Sequence, residues 1–163
     1  MNQQTEKHTC HHFMQQAIAL SHQGMDEGKG GPFGAVIVKD GVVVGKGHNS
    51  VTSTNDPTAH AEVVAIRDAC QRLGTFHLTG CELYTSCEPC PMCLGAIYWA
   101  RPDRVYYANT REDAAAIGFD DAFIYDEVPL PLDQRKIKMI PLGREEALRA
   151  FEKWGHSGDK SLY

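Results

Sequence analysis

Hydrophobic and polar residues alternate with two different periods in the first third of the chain. Apolar residues between positions 10 and 27 recur at helical spacing, and this segment ends at Gly28. Residues 34–39 and 42–46 are β-branched runs joined by Asp40-Gly41, a dipeptide typical of a two-residue hairpin turn. These patterns predict an amphipathic helix followed by a β-hairpin.

Helical and extended patterns alternate through the rest of the chain. Asp56 followed by Pro57 is typical of a helix N-terminus, with the aspartate as N-cap and the proline at the first helical position, and this helix should end near Gly74. The remaining predicted elements are, in order, a strand over 81–86, a helix over 91–100, a strand over 104–109, a helix over 112–117, a strand over 136–140 and a helix over 144–154. A hairpin followed by alternating strands and helices predicts an α/β fold, in which a mixed five-stranded sheet is covered by helices on both faces.

No repeat, low-complexity run or linker divides the sequence, so we expect residues 1–163 to form a single domain. A chain of 163 residues buries roughly two thirds of its unfolded surface, and disulfide bonds are not needed to stabilise it. The polar N-terminus does not resemble a secretory signal, and no apolar stretch approaches the roughly 18 residues of a membrane span. We therefore expect a cytoplasmic protein without a membrane partner.

The charge balance is acidic. Sixteen Lys and Arg residues against 21 Asp and Glu residues give a formal net charge of −5. A protein with this charge has no overall field that would attract it to phosphate backbones or anionic lipid. A local basic patch could still bind nucleic acid, but the charge disfavours nucleic acid as the partner.

Three of the six cysteines, Cys87, Cys90 and Cys93, lie within seven residues. In a reducing compartment, clustered cysteines more often bind a metal or take part in catalysis than form disulfides. The cysteine distribution therefore predicts a metal site or a catalytic site.

Two short motifs carry the predicted chemistry. His60-Ala61-Glu62 is followed about 30 residues later by a P-C-x-x-C motif that contains Cys90 and Cys93. This pairing is the signature of zinc deaminases that act on nucleobases. A catalytic zinc site has three protein ligands and leaves the fourth position to water, and His60, Cys90 and Cys93 supply three. We expect one zinc ion per chain.

Helix-end geometry indicates which cysteines are the ligands. Pro91 suits the first helical position, which makes Cys90 the N-cap and Cys93 the third helical residue. Both sulfurs then lie at the helix end that favours a thiolate. Cys87 precedes Pro89 and is the weaker candidate. If Cys87 joined the other ligands, the result would be a closed Cys₃His structural site, and this alternative remains open.

The spacing of His60 and Glu62 creates a difficulty, because residues two apart on a helix do not share one face. A ligand and a base at this spacing serve one site only if the site lies over the helix N-terminus, which the nearby Pro57 allows. As a carboxylate that does not bind the metal, Glu62 would take the proton of the attacking water and deliver protons to a ring nitrogen and to the departing ammonia.

Residues 31–38, 55–62 and 84–102 give the sequence a resemblance to the cytidine-deaminase-like superfamily. The matching branch contains bacterial guanine deaminases, tRNA adenosine deaminases and fungal-type cytosine deaminases. The third segment, together with residues 118–125, is similar to small guanine deaminases of the Bacillus type. This resemblance implies a three-layer α/β/α fold and a homodimer that exchanges C-terminal segments. It also implies hydrolysis of guanine to xanthine and ammonia in purine catabolism or salvage.

The resemblance further implies residues that contact the substrate, which would be a small purine base. Asn49 matches an asparagine that hydrogen-bonds the base, and Phe33 matches a residue that stacks on the purine. Asp121 matches a carboxylate that contacts the leaving amine as a second proton carrier. The terminal Tyr163 matches a tyrosine that reaches over the pocket, and Trp99 lies in a helix that lines it.

Other functions remain open: a tRNA adenosine deaminase, a cytosine or cytidine deaminase, and a structural-zinc interaction module. A tRNA-acting enzyme should carry a basic C-terminal helix. In the predicted helix over 144–154, three negative charges balance three positive ones, which argues against tRNA as the substrate.

Overall fold

The sheet is mixed and has four strands within residues 3–119 and 121–162, the part of the chain that the computed structural model describes. The strands are β1 (Gly34–Lys39), β2 (Val42–His48), β3 (Cys81–Cys87) and β4 (Arg104–Asn109). In the order β2-β1-β3-β4, β1 is antiparallel to both of its neighbours, and β3 and β4 are parallel. The predicted hairpin and the mixed sheet are confirmed.

The predicted fifth strand over residues 136–140 is wrong, because these residues form no strand. The side chains of Ile137 and Ile140 are 81% and 80% exposed. A β-branched run becomes a strand only where a neighbouring strand and a buried face receive it, and here neither is present among the described residues.

The described residues form seven helices. They are α1 (Gln3–Asp26), α2 (Val51–Thr54), α3 (Ala61–Leu73), α4 (Pro91–Ala100), α5 (Arg111–Ala116), α6 (Ala122–Glu127) and α7 (Arg144–Gly155). The helices predicted over 91–100, 112–117 and 144–154 are confirmed as α4, α5 and α7, with differences of at most one residue at the ends. The helix predicted over 10–27 is confirmed as α1, but it begins seven residues earlier, at Gln3. The helices α2 and α6 were not predicted.

Helix α3 begins at Ala61 and not at Pro57, so the predicted start of this helix is wrong. The carboxylate of Asp56 closes a separate turn, in which its Oδ1 accepts hydrogen bonds from the Thr58 backbone N–H at 2.8 Å and from the Thr58 hydroxyl at 2.7 Å. An Asp-Pro-Thr sequence suits such a turn as well as it suits a helix cap. The residue at the N-cap of α3 is His60, with extended backbone angles of φ −71° and ψ 154°.

Helices cover both faces of the sheet, as predicted. On one face, buried side chains of α1 pack against the sheet, in a cluster formed by Phe13, Ala17, Val36, Val38 and Tyr84. On the other face, β1 and β3 pack against α3 and α4, in a cluster that includes Ala35, Ile37, Leu83, Ala65 and Ile97. Successive residues of β1 thus point to opposite layers, which gives three layers in the order helix, sheet, helix.

The close approach of α3 to β2 depends on two glycines. A Cβ atom at Gly47 would collide with the backbone carbonyl oxygen of Ala61, and one at Gly45 would lie 2.5 Å from that of Ala65. Because neither glycine has a side chain, the first turn of α3 lies directly on the C-terminal half of β2. This contact places the N-terminus of α3 beside the end of β2, where Asn49 follows.

The chain divides after Asp121 into two compact units. The four-stranded sheet and helices α1 to α5 belong to the first unit, and α6 and α7 belong to the second. None of the helices in the described part of the chain combines the length and the apolar character that crossing a membrane requires.

Candidate active site

The three predicted metal ligands meet where two helices begin. His60 is the N-cap of α3, Cys90 is the N-cap of α4, and Cys93 lies in the first turn of α4. Their ligand atoms all lie within 4.8 Å of one another. Both the Cys90 Sγ and the Cys93 Sγ are 3.5 Å from the His60 Nδ1.

This donor set fits zinc in both chemistry and size. At ordinary Zn–N and Zn–S bond lengths, tetrahedral geometry separates a nitrogen ligand from a sulfur ligand by about 3.6 Å. The two Sγ to Nδ1 distances of 3.5 Å are close to that separation. One imidazole and two thiolates leave a fourth position open, as in a catalytic zinc site.

The two cysteines are strongly coupled. A hydrogen bond from the Cys93 thiol lowers the pKa of Cys90 to about 4, and the same hydrogen bond raises the pKa of Cys93. The hydrogen bond between His60 and Cys90 raises the pKa of the imidazole. The sulfurs therefore share one proton as a thiolate and a thiol, and a divalent cation bound to both would replace that proton.

Glu62 lies two residues after the N-cap of α3 and is only 6% exposed. Its Oε1 accepts a hydrogen bond of 3.1 Å from the Thr85 hydroxyl on β3. Burial raises the pKa of the Glu62 carboxyl. Because His60 has extended backbone and precedes the helix, it and Glu62 both reach the space over the helix N-terminus. This geometry resolves the difficulty that the two-residue spacing posed.

A cavity of about 440 Å³ lies over these helix ends, a volume within the range of small-molecule sites. The cavity belongs entirely to the first unit. Its lining includes six of the predicted site residues, which are Phe33, Asn49, His60, Glu62, Cys90 and Asp121.

Asn49 is held rigidly in the wall of this cavity and is 5% exposed. Its Oδ1 accepts hydrogen bonds of 3.2 Å from the backbone N–H groups of Gly31 and Val51. A side chain at Gly30 would collide with this same oxygen. The two hydrogen bonds determine the orientation of the amide and leave its Nδ2 as the donor available to a ligand.

An aromatic pair forms the apolar wall of the cavity. The rings of Phe33 and Phe119 meet edge to face, with centroids 4.9 Å apart and planes at 90°. Gly31 makes room for this pair, since a Cβ atom there would lie 2.8 Å from the Cζ of Phe119. Sequence reasoning missed Phe119, although it lies in the 118–125 segment that carries the family resemblance.

The remaining predicted site residues differ in their placement. Asp121 lines the cavity, and its negative charge contributes to the raised pKa of His60. Trp99 is 62% exposed on α4 and does not line the cavity. Tyr163 lies outside the described residues, so its predicted contact stays a prediction.

Cys87 lines the cavity but lies apart from the metal ligands. Its thiol donates a hydrogen bond of 3.5 Å to the backbone carbonyl oxygen of Thr110, and burial raises its pKa to about 11. Within the described residues, the ligand atoms that converge are those of His60, Cys90 and Cys93. This arrangement favours the open three-ligand site over the closed Cys₃His alternative.

The chain is similar to known proteins over nearly its whole length. Residues 7–109 match the zinc-binding region of cytidine and deoxycytidylate deaminases. The chain is 54% identical over 151 residues to a guanine deaminase from Bacillus subtilis, covering 93% of this chain and 97% of that protein. The X-ray structure of guanine deaminase from Bacillus subtilis superposes with a TM-score of 0.90 at 52% identity, covering 100% of this chain and 99% of that one.

A second group of relatives matches a shorter part of the chain. A tRNA-specific adenosine deaminase from Aquifex aeolicus is 44% identical over 97 residues, which is 60% of this chain and 64% of that protein. The near full-length match is to the guanine deaminase. With a matching zinc-binding region over residues 7–109 and three converging zinc-type ligands, the chain belongs to the cytidine and deoxycytidylate deaminase family of zinc-binding proteins.

Proposed function

We propose that this protein is a zinc-dependent guanine deaminase, which hydrolyses guanine to xanthine and ammonia in the breakdown or salvage of purines. The observation that carries the proposal is the 54% identity to a guanine deaminase over 97% of that protein's length. The similarity to a tRNA-specific adenosine deaminase covers only 60% of this chain. The acidic net charge of −5 also favours a free base over tRNA.

His60, Cys90 and Cys93 would hold the zinc ion. When bound, zinc supplies an activated water for attack on the ring carbon that carries the exocyclic amine. Both cysteines lie at the N-terminus of α4, where unpaired N–H groups and the helix dipole favour negative charge on sulfur. Of these three residues, His60 and Cys90 also line the cavity.

Glu62 would move the protons of the reaction. Its carboxylate accepts the proton that the attacking water loses and delivers it to the ring nitrogen beside the reacting carbon. It then takes the hydroxyl proton of the resulting adduct and delivers it to the departing amine. This second transfer leaves Glu62 ionised again. One water is consumed and one ammonia is released, and Glu62 ends in its starting state.

The cavity wall suits the two kinds of surface that guanine has. The ring of Phe33 can stack on the flat π surface of the purine, and Phe119, at 90° to that ring, supports it edge to face. The Nδ2 of Asn49 can donate to an acceptor on the polar edge of the base. Asp121 can accept a hydrogen bond from the leaving amine and serve as the second proton carrier.

We also propose that residues 1–163 act as one deaminase domain and form a homodimer that exchanges C-terminal segments. In the second unit, the side chains of Leu142 and Phe151 are 96% and 76% exposed. On α4, Tyr98 and Trp99 are 75% and 62% exposed. Large exposed hydrophobic side chains in such numbers are typical of protein interfaces. The contacts of Trp99 and Tyr163 with the substrate belong to this proposal.

The function is tested by measuring ammonia release from a panel of substrates by the purified protein. The panel contains guanine, guanosine, adenine, cytosine, cytidine and an anticodon stem-loop RNA. We expect guanine to react fastest, about one zinc per chain by elemental analysis, and a dimer by light scattering. Rapid deamination of the stem-loop RNA without any turnover of guanine would contradict the proposal.

A further inference from the structure

Thr85 is buried in the sheet directly beneath Glu62. It is 1% exposed. In the sheet it lies opposite Ala35 of β1 on one side and opposite Tyr107 of β4 on the other. Its hydroxyl donates a hydrogen bond of 3.1 Å to the Glu62 Oε1. Because both neighbouring strands hold the backbone and a β-branched side chain has few χ1 rotamers, the sheet determines the position of this hydroxyl.

This hydrogen bond distinguishes the two oxygens of the Glu62 carboxylate. Glu62 lines the cavity, and its Oε1 is the oxygen that the Thr85 hydroxyl holds, so Oε2 is the oxygen that Thr85 leaves free for proton transfer. A proton carrier must lie within about 2.6–3.2 Å of the atoms between which it moves a proton. A misplacement of about 1 Å can reduce a reaction rate by about 100-fold. A glutamate side chain has three rotatable bonds, so a fixed donor at Oε1 limits this misplacement.

The Cys93 thiol also interacts with the Glu62 carboxyl and lowers its pKa. A cysteine that binds zinc is a thiolate and has no proton to donate. The backbone N–H at the start of α3 also contacts the carboxylate. Thr85 is therefore the side-chain donor that is compatible with the metal-binding state of Cys93.

Given the function proposed above, we propose that Thr85 is a positioning residue, whose hydroxyl holds the Glu62 Oε1 so that Oε2 faces the reacting atoms during both proton transfers. Neither the substrate nor the metal needs to contact Thr85. Its effect therefore belongs in kcat and not in substrate affinity or zinc content.

The test is the substitution Thr85→Val, which removes the hydroxyl and keeps the β-branched shape. We expect kcat for guanine to fall about 10- to 100-fold, the size of a lost hydrogen bond to a charged group. We expect KM to change by less than about 3-fold and zinc to remain at about one per chain. Thr85→Ser, which restores the hydroxyl, should return kcat to within about 3-fold of the wild-type value.

Ser86→Ala is the matched control, because it removes a buried hydroxyl from the next residue of β3. The Ser86 hydroxyl accepts a hydrogen bond of 3.0 Å from the backbone N–H of Gly34, whereas the hydroxyl bonded to Glu62 is that of Thr85. This variant should lower the midpoint of thermal unfolding while keeping kcat within about 3-fold of wild type. If Thr85→Val does not fold at the assay temperature, Thr85→Ala is measured below its unfolding midpoint, with the same expected fall in kcat.

Wild-type kcat in Thr85→Val would overturn the inference, and so would a Thr85→Ser variant as impaired as Thr85→Val. A loss of zinc or a rise in KM that accounts for the lost activity would likewise show a structural role only. An inactive wild-type protein that contains zinc would instead contradict the proposed function, so the two failures are distinguishable.

Discussion

Helices α3 and α4 both begin at the candidate active site, and each has a metal ligand at its N-cap. In α4, the N-cap Cys90 is followed by Pro91, and a second ligand, Cys93, lies in the first turn. In α3, the N-cap His60 is followed two positions later by Glu62, which is not a ligand. One helix end is therefore built to hold the metal, and the other combines a ligand with a group that can move protons.

The two helix ends also differ in how they are held. The first turn of α3 lies against β2 at Gly47, where there is no room for a side chain. Gly95 in α4 has open space around it. The position of α3 thus depends on tertiary contacts at its N-terminus, while α4 begins where its own proline and N-cap define the start.

The largest effect should come from removing a ligand at the N-cap of α4. For Cys90→Ser, we expect zinc to fall from about one per chain to near zero, because a hydroxyl is a far poorer zinc ligand than a thiolate. Ammonia release from guanine should fall to background. Elemental analysis and the ammonia assay measure both. Cys87→Ser is the control and should keep its zinc, and loss of zinc from that variant would support the closed Cys₃His site.

The second largest effect should come from α3. Glu62→Ala removes the proton carrier and no ligand, so zinc should stay at about one per chain while kcat falls by about 10⁴-fold. The control is Glu112→Ala, which removes an exposed carboxylate from the first turn of α5 and should leave kcat unchanged. Retained activity in Glu62→Ala would remove this residue from the mechanism and erase the functional difference between the two helix ends.

A smaller effect, on stability, separates the packing of the two helices. Gly47→Ala forces a Cβ atom against the backbone of α3 and should lower the free energy of unfolding by about 1–3 kcal/mol. Gly95→Ala adds a methyl group in open space and should raise it by about 0.5–1 kcal/mol, because alanine is a better helix former than glycine. Denaturant unfolding measures both free energies. The comparison fails if the two substitutions change stability in the same direction.

The same contrast explains which helix start was predicted correctly. At α4, Cys90 takes the N-cap position and Pro91 the first helical position, and the predicted start of this helix is confirmed. Around Pro57, the same kind of pattern is used by a turn in which the Asp56 carboxylate accepts hydrogen bonds from Thr58. A local pattern that satisfies two structures equally does not decide between them, and contact with β2 places the start of α3 at Ala61.

Two contacts in the candidate site could not be predicted from local sequence patterns. The hydrogen bond between Thr85 and Glu62 joins residues 23 positions apart, and no motif contains both. Phe119 meets Phe33 from a segment far along the chain, and neither residue belongs to a periodic pattern that indicates the pair. Such contacts depend on how β3 and the later segments are placed against the rest of the first unit.

Local sequence patterns are sufficient to predict the hairpin at Asp40-Gly41, the start of α4, and the zinc-type donor set of His60, Cys90 and Cys93. These features depend on backbone preferences and ligand chemistry that act within a few residues. Three features depend on the tertiary structure: His60 is the N-cap of α3, Thr85 meets Glu62, and residues 136–140 form no strand. Each of these depends on surfaces that come together when distant segments pack, and their energies are not contained in any local stretch of the chain.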